Sequence, residues 1–378
     1  MKKSMRGPFL FILGVTFSGF LFSIHYTRDR DYDDPISIPV ANVPNQRLNP
    51  KNPLSRVISS TGIEIVPPPP APEDFGNCGC KSEKTGKTYN FCYTDPQNST
   101  SIGKKFSCDH LKILEKLNLV ENPGPFVDLS DTEKNSKEIV FVSAVSDNHF
   151  NEATTSISAF FKFNPNGKFI LYSLGLNELY INNVKKDFKN LEVREFDTTG
   201  YPDYTRTWME YRFKPLILAE VMKEFSNIWW MDAHIVVKKP KMIELLYKGL
   251  AENVKSEVPI YFLFIQAIPI LPHYVLTYFP TNSIDLLKNE KRGFQLGANT
   301  FFVARTEYTV EVFKWWILCA LDKTCMAPPG AQVYCKFGKD RNNEFAKCFR
   351  FDQSILNLLL LNNYQDANKY LINIGYLF

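Results

Sequence analysis

The segment from residue 138 to residue 231 alternates between strand-like and helix-like patterns four times, and this alternation constrains the fold more than any other feature. Its first strand is predicted at Ile139–Val145, an apolar run typical of a strand buried on both faces. Helices and strands then alternate over 150–163, 168–174, 177–189, 191–196, 214–225 and 227–231. We therefore expect an α/β fold with a mixed, mainly parallel sheet, helices on both faces, and ligands at the carboxyl ends of the strands.

The pattern is looser beyond residue 231. It predicts longer strands at 259–270 and 294–303, helices at 306–321 and 352–361, and a short last strand at 370–374. We expect this second half to complete the sheet and to form one side of a cleft. Because the chain is 44% hydrophobic and contains 31 Phe, it can bury a substantial core.

The N-terminus predicts a membrane anchor followed by a stem. Lys2, Lys3 and Arg6 precede an uncharged stretch over 7–26, which would span about 30 Å as a helix. Because basic flanks stay in the cytosol, we expect residues 1–6 to form a cytosolic tail and the chain beyond the anchor to be luminal or extracellular. A signal peptide cleaved near Ser18 is the alternative. Ten prolines within 27–77 predict an extended, Pro-rich stem.

The eight cysteines form two groups of four that bracket the alternating segment. They predict two local disulfide frameworks in an oxidising compartment, with three possible connectivities inside each group. A zinc site in the first group is the alternative, although its spacing is not a usual zinc pattern. The first group belongs to a Cys-stapled collar over 78–137, which also carries the N-glycosylation acceptor Asn98. The cysteines are Cys78, Cys80, Cys92, Cys108, Cys319, Cys325, Cys335 and Cys348.

The charge of the chain argues against a nucleic-acid-binding surface. Lys and Arg number 44 and Asp and Glu number 40, which gives a net charge of +4 over 378 residues. Proteins that bind the phosphate backbone of nucleic acids carry strongly basic patches. We therefore expect no nucleic-acid partner.

The predicted strand at 227–231 is followed directly by an acidic residue, Asp232. A carboxylate at the end of a buried strand costs free energy unless it binds something. If the chain stays extended, His234 lies on the same face, with Cα atoms about 6–7 Å apart, so that the pair can hold one cation. The alternative is that Asp232 caps a turn and His234 is solvated at the edge.

Four segments carry a resemblance to a known class of enzymes. They are Tyr-Arg-Phe-Lys-Pro at 211–215, Trp-Met-Asp-Ala at 230–233, Gly-Ala-Asn at 297–299 and Asp-Gln at 352–353. With the order of strands and helices over 138–376, they resemble nucleotide-sugar-dependent glycosyltransferases of the GT-A fold. More closely, the chain resembles an uncharacterised, nematode-expanded family of glycosyltransferase-like membrane proteins. The resemblance implies a GT-A-like luminal domain over 138–378 and does not cover the stem.

The resemblance also implies roles for single residues. Asp232 and His234 would hold Mn²⁺ or Mg²⁺ against the diphosphate of a sugar donor. GT-A enzymes carry a second Asp at the position of His234, so this departure either favours Mn²⁺ or puts the metal and the activity in doubt. Asp352 would accept a proton from an acceptor hydroxyl. The implied substrate-binding residues are Ser143, Asp147, Lys214, Gly297, Ala298, Asn299 and Gln353.

Four of these residues have an ordinary structural alternative. Lys214 is either an anion ligand at a helix start or a solvated lysine beside a helix-opening proline. Asp147 either binds a nucleoside or forms an Asx turn. Gly297 either approaches a ligand or marks a β-bulge, and Asp352 either carries chemistry or caps a helix.

The sequence thus predicts a single-pass type II membrane glycoprotein of the Golgi or endoplasmic reticulum. Its predicted activity is transfer of a sugar from a nucleotide-sugar donor to a glycan or glycoprotein acceptor. One alternative is a non-catalytic, glycosyltransferase-like luminal protein that binds glycan or protein. Another is a secreted, disulfide-stapled binding protein, which would follow from cleavage of the N-terminus.

Overall fold

The computed structural model describes residues 76–121, 123–253, 260–262, 265–266, 273–282, 285–289, 291–336, 339 and 348–372. The predicted cytosolic tail and membrane anchor, with nearly all of the stem, lie outside the described residues. Among the helices that the structure describes, none is both long and apolar enough to cross a bilayer.

Strands and helices alternate from β5 to β8, that is, from residue 139 to residue 231. In chain order the strands are β1 (Gly79–Lys81), β2 (Thr88–Asn90), β3 (Thr94–Asp95), β4 (Asn98–Ile102), β5 (Ile139–Val145), β6 (Lys168–Ser173), β7 (Leu191–Glu195), β8 (Asn227–Met231), β9 (Ile260–Phe262), β10 (Ile265–Gln266), β11 (Gln295–Leu296) and β12 (Thr300–Ala304). The α-helices are α1 (Leu111–Lys116), α2 (Thr132–Lys137), α3 (Phe150–Phe163), α4 (Glu178–Asp187), α5 (Phe213–Met222), α6 (Met242–Asn253), α7 (His273–Tyr278), α8 (Glu307–Ala320), α9 (Lys323–Met326) and α10 (Asp352–Tyr364).

A six-stranded sheet forms the centre of the fold, in the order β7-β6-β5-β8-β12-β9. The strands β7, β6, β5 and β8 are parallel, whereas β12 runs antiparallel to both β8 and β9. The predicted mixed, mainly parallel sheet is therefore confirmed. Residues of β5 and β8 are all buried, as expected for strands covered on both faces.

Helices cover both faces of this sheet. On one face, the ring of Phe141 packs 4.5 Å from Phe160 of α3 and 5.4 Å from Trp229 of β8. Because side chains alternate along a strand, the next residue, Trp230, points to the other face. There its ring lies 5.3 Å from the ammonium of Lys214, at the start of α5.

The second half departs from its predicted elements. The strand predicted at 294–303 is broken by a turn at 297–299 into β11 and β12, which belong to different sheets. The sequence pattern does not reveal this break, because β11 and β12 are both buried. Of the strand predicted at 370–374, the structure describes 370–372 and shows only a single β-bridge residue, Leu371. It follows a 3-10 helix over Ala367–Tyr370 that Asp366 caps, and 373–374 lie outside the described residues.

The collar consists of two short hairpins, β1-β2 and β3-β4, followed by α1 and α2. All eight cysteines form disulfides, and each pair lies inside one of the two predicted groups. The bonds are Cys78–Cys92, Cys80–Cys108, Cys319–Cys325 and Cys335–Cys348. This pairing excludes the zinc alternative, because no thiolate remains in the first group.

The collar packs against the body through aromatic rings and hydrogen bonds. The Tyr93 ring meets the edges of Phe279 at 5.2 Å and Trp315 at 5.5 Å. At the far end of α10, Gln97 Nε2 donates to Asn362 O at 3.1 Å. Collar and body therefore share one hydrophobic core.

Candidate functional site

The site forms where the parallel strands end. β8 ends at Met231, and the backbone N–H of the next residue, Asp232, donates to Asn299 O at 2.7 Å. Because β12 is antiparallel to β8, the turn that precedes β12 lies at the same sheet edge as the carboxyl ends of the parallel strands. This relationship brings Asp232 beside the turn formed by Gly297, Ala298 and Asn299.

Lys214 is the centre of the site. Its Nζ lies 3.1 Å from Asp232 Oδ1 and 2.9 Å from Asp352 Oδ2, and it donates a hydrogen bond of 2.9 Å to Ala298 O. Only 3% of its side chain is exposed. The solvated-lysine alternative is therefore wrong, and residues from three distant segments converge on one ammonium.

The start of α5 places Lys214 by anchoring the chain two residues earlier. The guanidinium of Arg212 is fully buried and donates to the carbonyls of Ala320, Asp322 and Lys323. These carbonyls lie where α8 ends and α9 begins, and the end of a helix leaves backbone acceptors without partners. Pro215 occupies the first turn of α5, where its missing N–H costs nothing. The Tyr-Arg-Phe-Lys-Pro segment thus fixes a helix start.

Asp352 is the first residue of α10 and points into the site. The cap position belongs to Phe351, whose φ of 42° lies in the left-handed region, and the Asp352 side chain pairs with Lys214 instead. The helix-cap alternative for Asp352 is therefore wrong.

Burial and the nearby charges of opposite sign act in opposite directions on the pKa values of Asp352 and Lys214. Burial raises the pKa of Asp352, although the charge of Lys214 opposes the rise. Burial also disfavours the charged form of Lys214, but Asp232 and Asp352 outweigh it and hold the pKa of Lys214 above its ordinary value. Lys214 is therefore charged, and two carboxylates surround one cation.

Helix α10 also holds the turn at 297–299. Gln353 Oε1 accepts from Ala298 N at 3.3 Å, and Asn357 bonds both the N–H and the C=O of Leu296, at 2.8 and 2.9 Å. Gly297 lies in the break between β11 and β12, so it does not form a bulge inside a strand. Sequence reasoning missed Asn357, whose signal is its four-residue spacing from Gln353 in a leucine-rich helix.

The expected pairing of Asp232 with His234 on an extended strand is wrong. Ile235 N donates to Asp232 O at 2.9 Å, so the chain turns there and leaves His234 exposed. Asp232 Oδ1 already accepts from Trp230 Nε1 at 2.7 Å and pairs with Lys214. In the part of the chain that the structure describes, no group of three His, Cys, Asp or Glu side chains can hold a metal ion. These donors do not fit a resident Mn²⁺ or Mg²⁺.

Ser143 and Asp147 lie near the carboxyl end of β5. Ser143 is buried, and its hydroxyl has no hydrogen-bond partner within the described ranges. Asp147 is exposed, and its Oδ1 accepts from Asn177 N at 2.9 Å, which ties the loop after β5 to the start of α4. Neither residue contacts the Lys214 ammonium, so the nucleoside-binding roles of both stay predictions.

The group around Lys214 suits a ligand that is rich in hydroxyls. Carboxylates accept from hydroxyl groups and an ammonium donates to them. The rings of Trp230, which is buried, and Tyr211, which is half-buried, lie 5.3 and 5.6 Å from the Lys214 nitrogen. About a quarter of the Asp232 side chain, 23%, is exposed, so this carboxylate is the part of the group that solvent reaches most easily.

Comparisons with known proteins find one family and several weak structural likenesses. A family described as "Protein of unknown function (DUF1647)" matches residues 78–219. No curated protein sequence matches the chain.

The structural likenesses have low scores. The chain is similar to core-mannan synthase A (CmsA/Ktr4) from Aspergillus fumigatus in its Mn/GDP form, with 10% identity, a TM-score of 0.37, and coverage of 65% of this chain and 77% of that one. The mannosyltransferase Ktr4p from S. cerevisiae has 10% identity and a TM-score of 0.36, and the match covers 55% of this chain and 70% of that one. The galactosyltransferase LgtC with donor and acceptor sugar analogues has 10% identity and a TM-score of 0.30, and the match covers 47% of this chain and 63% of LgtC. The chain therefore spans less than two thirds of LgtC.

Proposed function

We propose that this protein transfers a sugar from a nucleotide-sugar donor to a glycan or glycoprotein acceptor. The observation that carries the proposal is the convergence of Asp232, Asp352 and Ala298 O on the buried ammonium of Lys214. This convergence lies at the carboxyl ends of parallel strands, where α/β folds bind their ligands.

The proposed roles follow from the chemistry of each group. The buried charges of Lys214 and Asp352 fix the orientation of sugar hydroxyls, because a charged hydrogen bond is stronger than a neutral one. Asp352 accepts the proton of the attacking hydroxyl, in a site whose low exposure keeps competing water away. The backbone of the turn at 297–299, which Gln353 holds, faces the donor sugar.

The proposed location is the membrane of the Golgi or endoplasmic reticulum, with the body in the lumen. The four disulfides support an oxidising compartment. The membrane anchor over 7–26, glycosylation at Asn98 and membership of a nematode-expanded family are parts of the same proposal.

The test is donor binding and hydrolysis by the purified full-length chain with a panel of nucleotide-sugars. We expect at least one donor to bind in calorimetry and to release its nucleoside diphosphate slowly. Asp232→Asn should abolish this release, whereas Asp187→Asn, an exposed substitution on α4, should not. A chain that binds no donor in the panel would rule out the proposal.

A non-catalytic glycan-binding or protein-binding role is the second candidate. It is favoured by the ion pairs themselves, because Lys214 already pairs with one oxygen of each carboxylate of the site. This role predicts binding of free glycans or glycoproteins without any affinity for nucleotide-sugars. A glycan array probed with the same full-length protein separates the two candidates.

A further inference from the structure

The oxygens around Lys214 form a cation site that the chain fills with its own side chain. Three oxygens, from Asp232, Asp352 and Ala298, lie 2.9 to 3.1 Å from Nζ. An ammonium has three N–H bonds, so the number of oxygens matches the number of donors. Such distances are normal between nitrogen and oxygen, whereas Mg²⁺ binds oxygen at about 2.1 Å.

A divalent ion cannot share this position with the ammonium. An ion bound by Asp232 Oδ1 and Asp352 Oδ2 together would have to lie between these two oxygens, where Nζ already lies. Two cations held a few ångströms apart in a buried site also repel each other strongly.

The backbone that carries Lys214 is also anchored, through Arg212. Lys214 lies two residues after Arg212, whose buried guanidinium bonds three carbonyls where α8 ends and α9 begins. The start of α5 is thereby anchored, and the Lys214 side chain is only 3% exposed. The cation is therefore a fixed part of the fold.

We propose that the Lys214 ammonium takes the place of a divalent metal ion between Asp232 and Asp352, and that the chain binds Mn²⁺ or Mg²⁺ there only when Lys214 is removed. This inference concerns cation binding and needs no donor. Its extension, that donor binding persists in EDTA, rests on the proposed function.

The experiment titrates the full-length protein with MnCl₂ alone and follows free Mn²⁺ by electron paramagnetic resonance. We expect the wild type to show no saturable Mn²⁺ site that depends on Asp232 or His234. Lys214→Ala should gain one such site, at least about tenfold tighter than any wild-type binding, and Lys214→Ala with Asp232→Asn should lose it again. Lys223→Ala, an exposed change at the end of α5, should behave as the wild type.

A second measurement keeps the inference testable if Lys214→Ala folds poorly. Its melting temperature should rise with MnCl₂ concentration, because an ion that binds only the folded state stabilises it, whereas the wild-type value should stay constant. A wild-type Mn²⁺ site that disappears in Asp232→Asn or His234→Ala would overturn the inference. So would a Lys214→Ala protein that neither binds Mn²⁺ nor is stabilised by it.

The two proposals fail in different ways. If no nucleotide-sugar binds under any condition, the proposed function fails, and the Mn²⁺ titrations still decide the inference. If a donor binds only when Mn²⁺ is added, the inference fails and the proposed function survives.

Discussion

The Nζ of Lys214 lies 2.9 Å from Oδ2 of Asp352, although the two residues belong to different helices, α5 and α10. Both side chains are almost completely buried, with exposed fractions of 3% and 5%. An ion pair that is buried to this extent loses most of its hydration, so removal of one partner leaves the other as an uncompensated buried charge. The following predictions use this dependence and the contacts around it.

Removal of the ammonium should destabilise the fold. Lys214→Ala leaves two carboxylates without their cation, and we expect a loss of about 3–5 kcal/mol in the free energy of unfolding. Urea denaturation measures the loss, with Lys223→Ala as the exposed control. An unchanged urea midpoint for Lys214→Ala would mean that the ion pairs do not form in solution.

Neutralisation of Asp352 should reduce donor turnover more than donor affinity. Asp352→Asn keeps the shape of the side chain and leaves Lys214 paired with Asp232, but it removes the proposed proton acceptor. We expect donor turnover to fall by about 10²–10⁴-fold with little change in donor affinity. Turnover assays and calorimetry on the same samples separate these effects, and equal losses in both would show that Asp352 serves binding alone.

The hydrogen bonds of Asn357 should contribute to stability through the backbone of Leu296. Asn357→Ala leaves a buried N–H and a buried C=O without this partner, and we expect a loss of about 1–3 kcal/mol. Asn363→Ala, on the same helix, removes only a bond to Leu359 O and serves as the matched control. The two variants should differ clearly in their urea midpoints.

Stability should fall at alkaline pH through buried tyrosines. Burial raises the pKa of Tyr172 to about 12, against about 10 in the unfolded chain, so the folded state binds the proton more tightly. The contribution, about 2–3 kcal/mol, is present below pH 10 and is lost as the pH rises towards 12. Tyr172→Phe should reduce the fall in urea midpoint between pH 9 and 12, whereas Tyr334→Phe, at a position 81% exposed, should not change it.

Glycosylation of Asn98 should occur when the full chain enters a secretory pathway. In the folded chain Asn98 Oδ1 accepts from the Thr100 hydroxyl at 2.7 Å, and the acceptor residue is partly exposed on a hairpin. Asn98→Gln should remove one glycan, which the mobility on gels before and after glycosidase treatment shows. No mobility difference between wild type and Asn98→Gln would contradict the luminal assignment.

Much of the first half of the fold could be predicted from local patterns. The strand Ile139–Val145 and the helix Phe150–Phe163 have their predicted bounds because buried runs and a Pro-Gly stop are visible within a short window. The turn at 232–235 could not be predicted in this way. Asp232 at its start is held by Asn299 and Lys214, which are distant in sequence and meet Asp232 only after the sheet has formed.

The candidate site was predicted as a set of residues but not as an arrangement. Lys214, Asp232, Ala298 and Asp352 were each predicted, whereas the sequence does not show that one ammonium joins them. The same limit applies to Arg212, whose acceptors are backbone carbonyls with no signature in the sequence. Contacts between distant segments decide both features.

The packing of the collar on the body also has a consequence for biosynthesis. Tyr93 and Gln97 are translated well before their partners Phe279, Trp315 and Asn362. Part of the apolar surface of the collar therefore stays uncovered until these three residues have been made. The disulfides Cys78–Cys92 and Cys80–Cys108 can close in that interval, so the nascent chain has a preformed surface on which α8 and α10 dock.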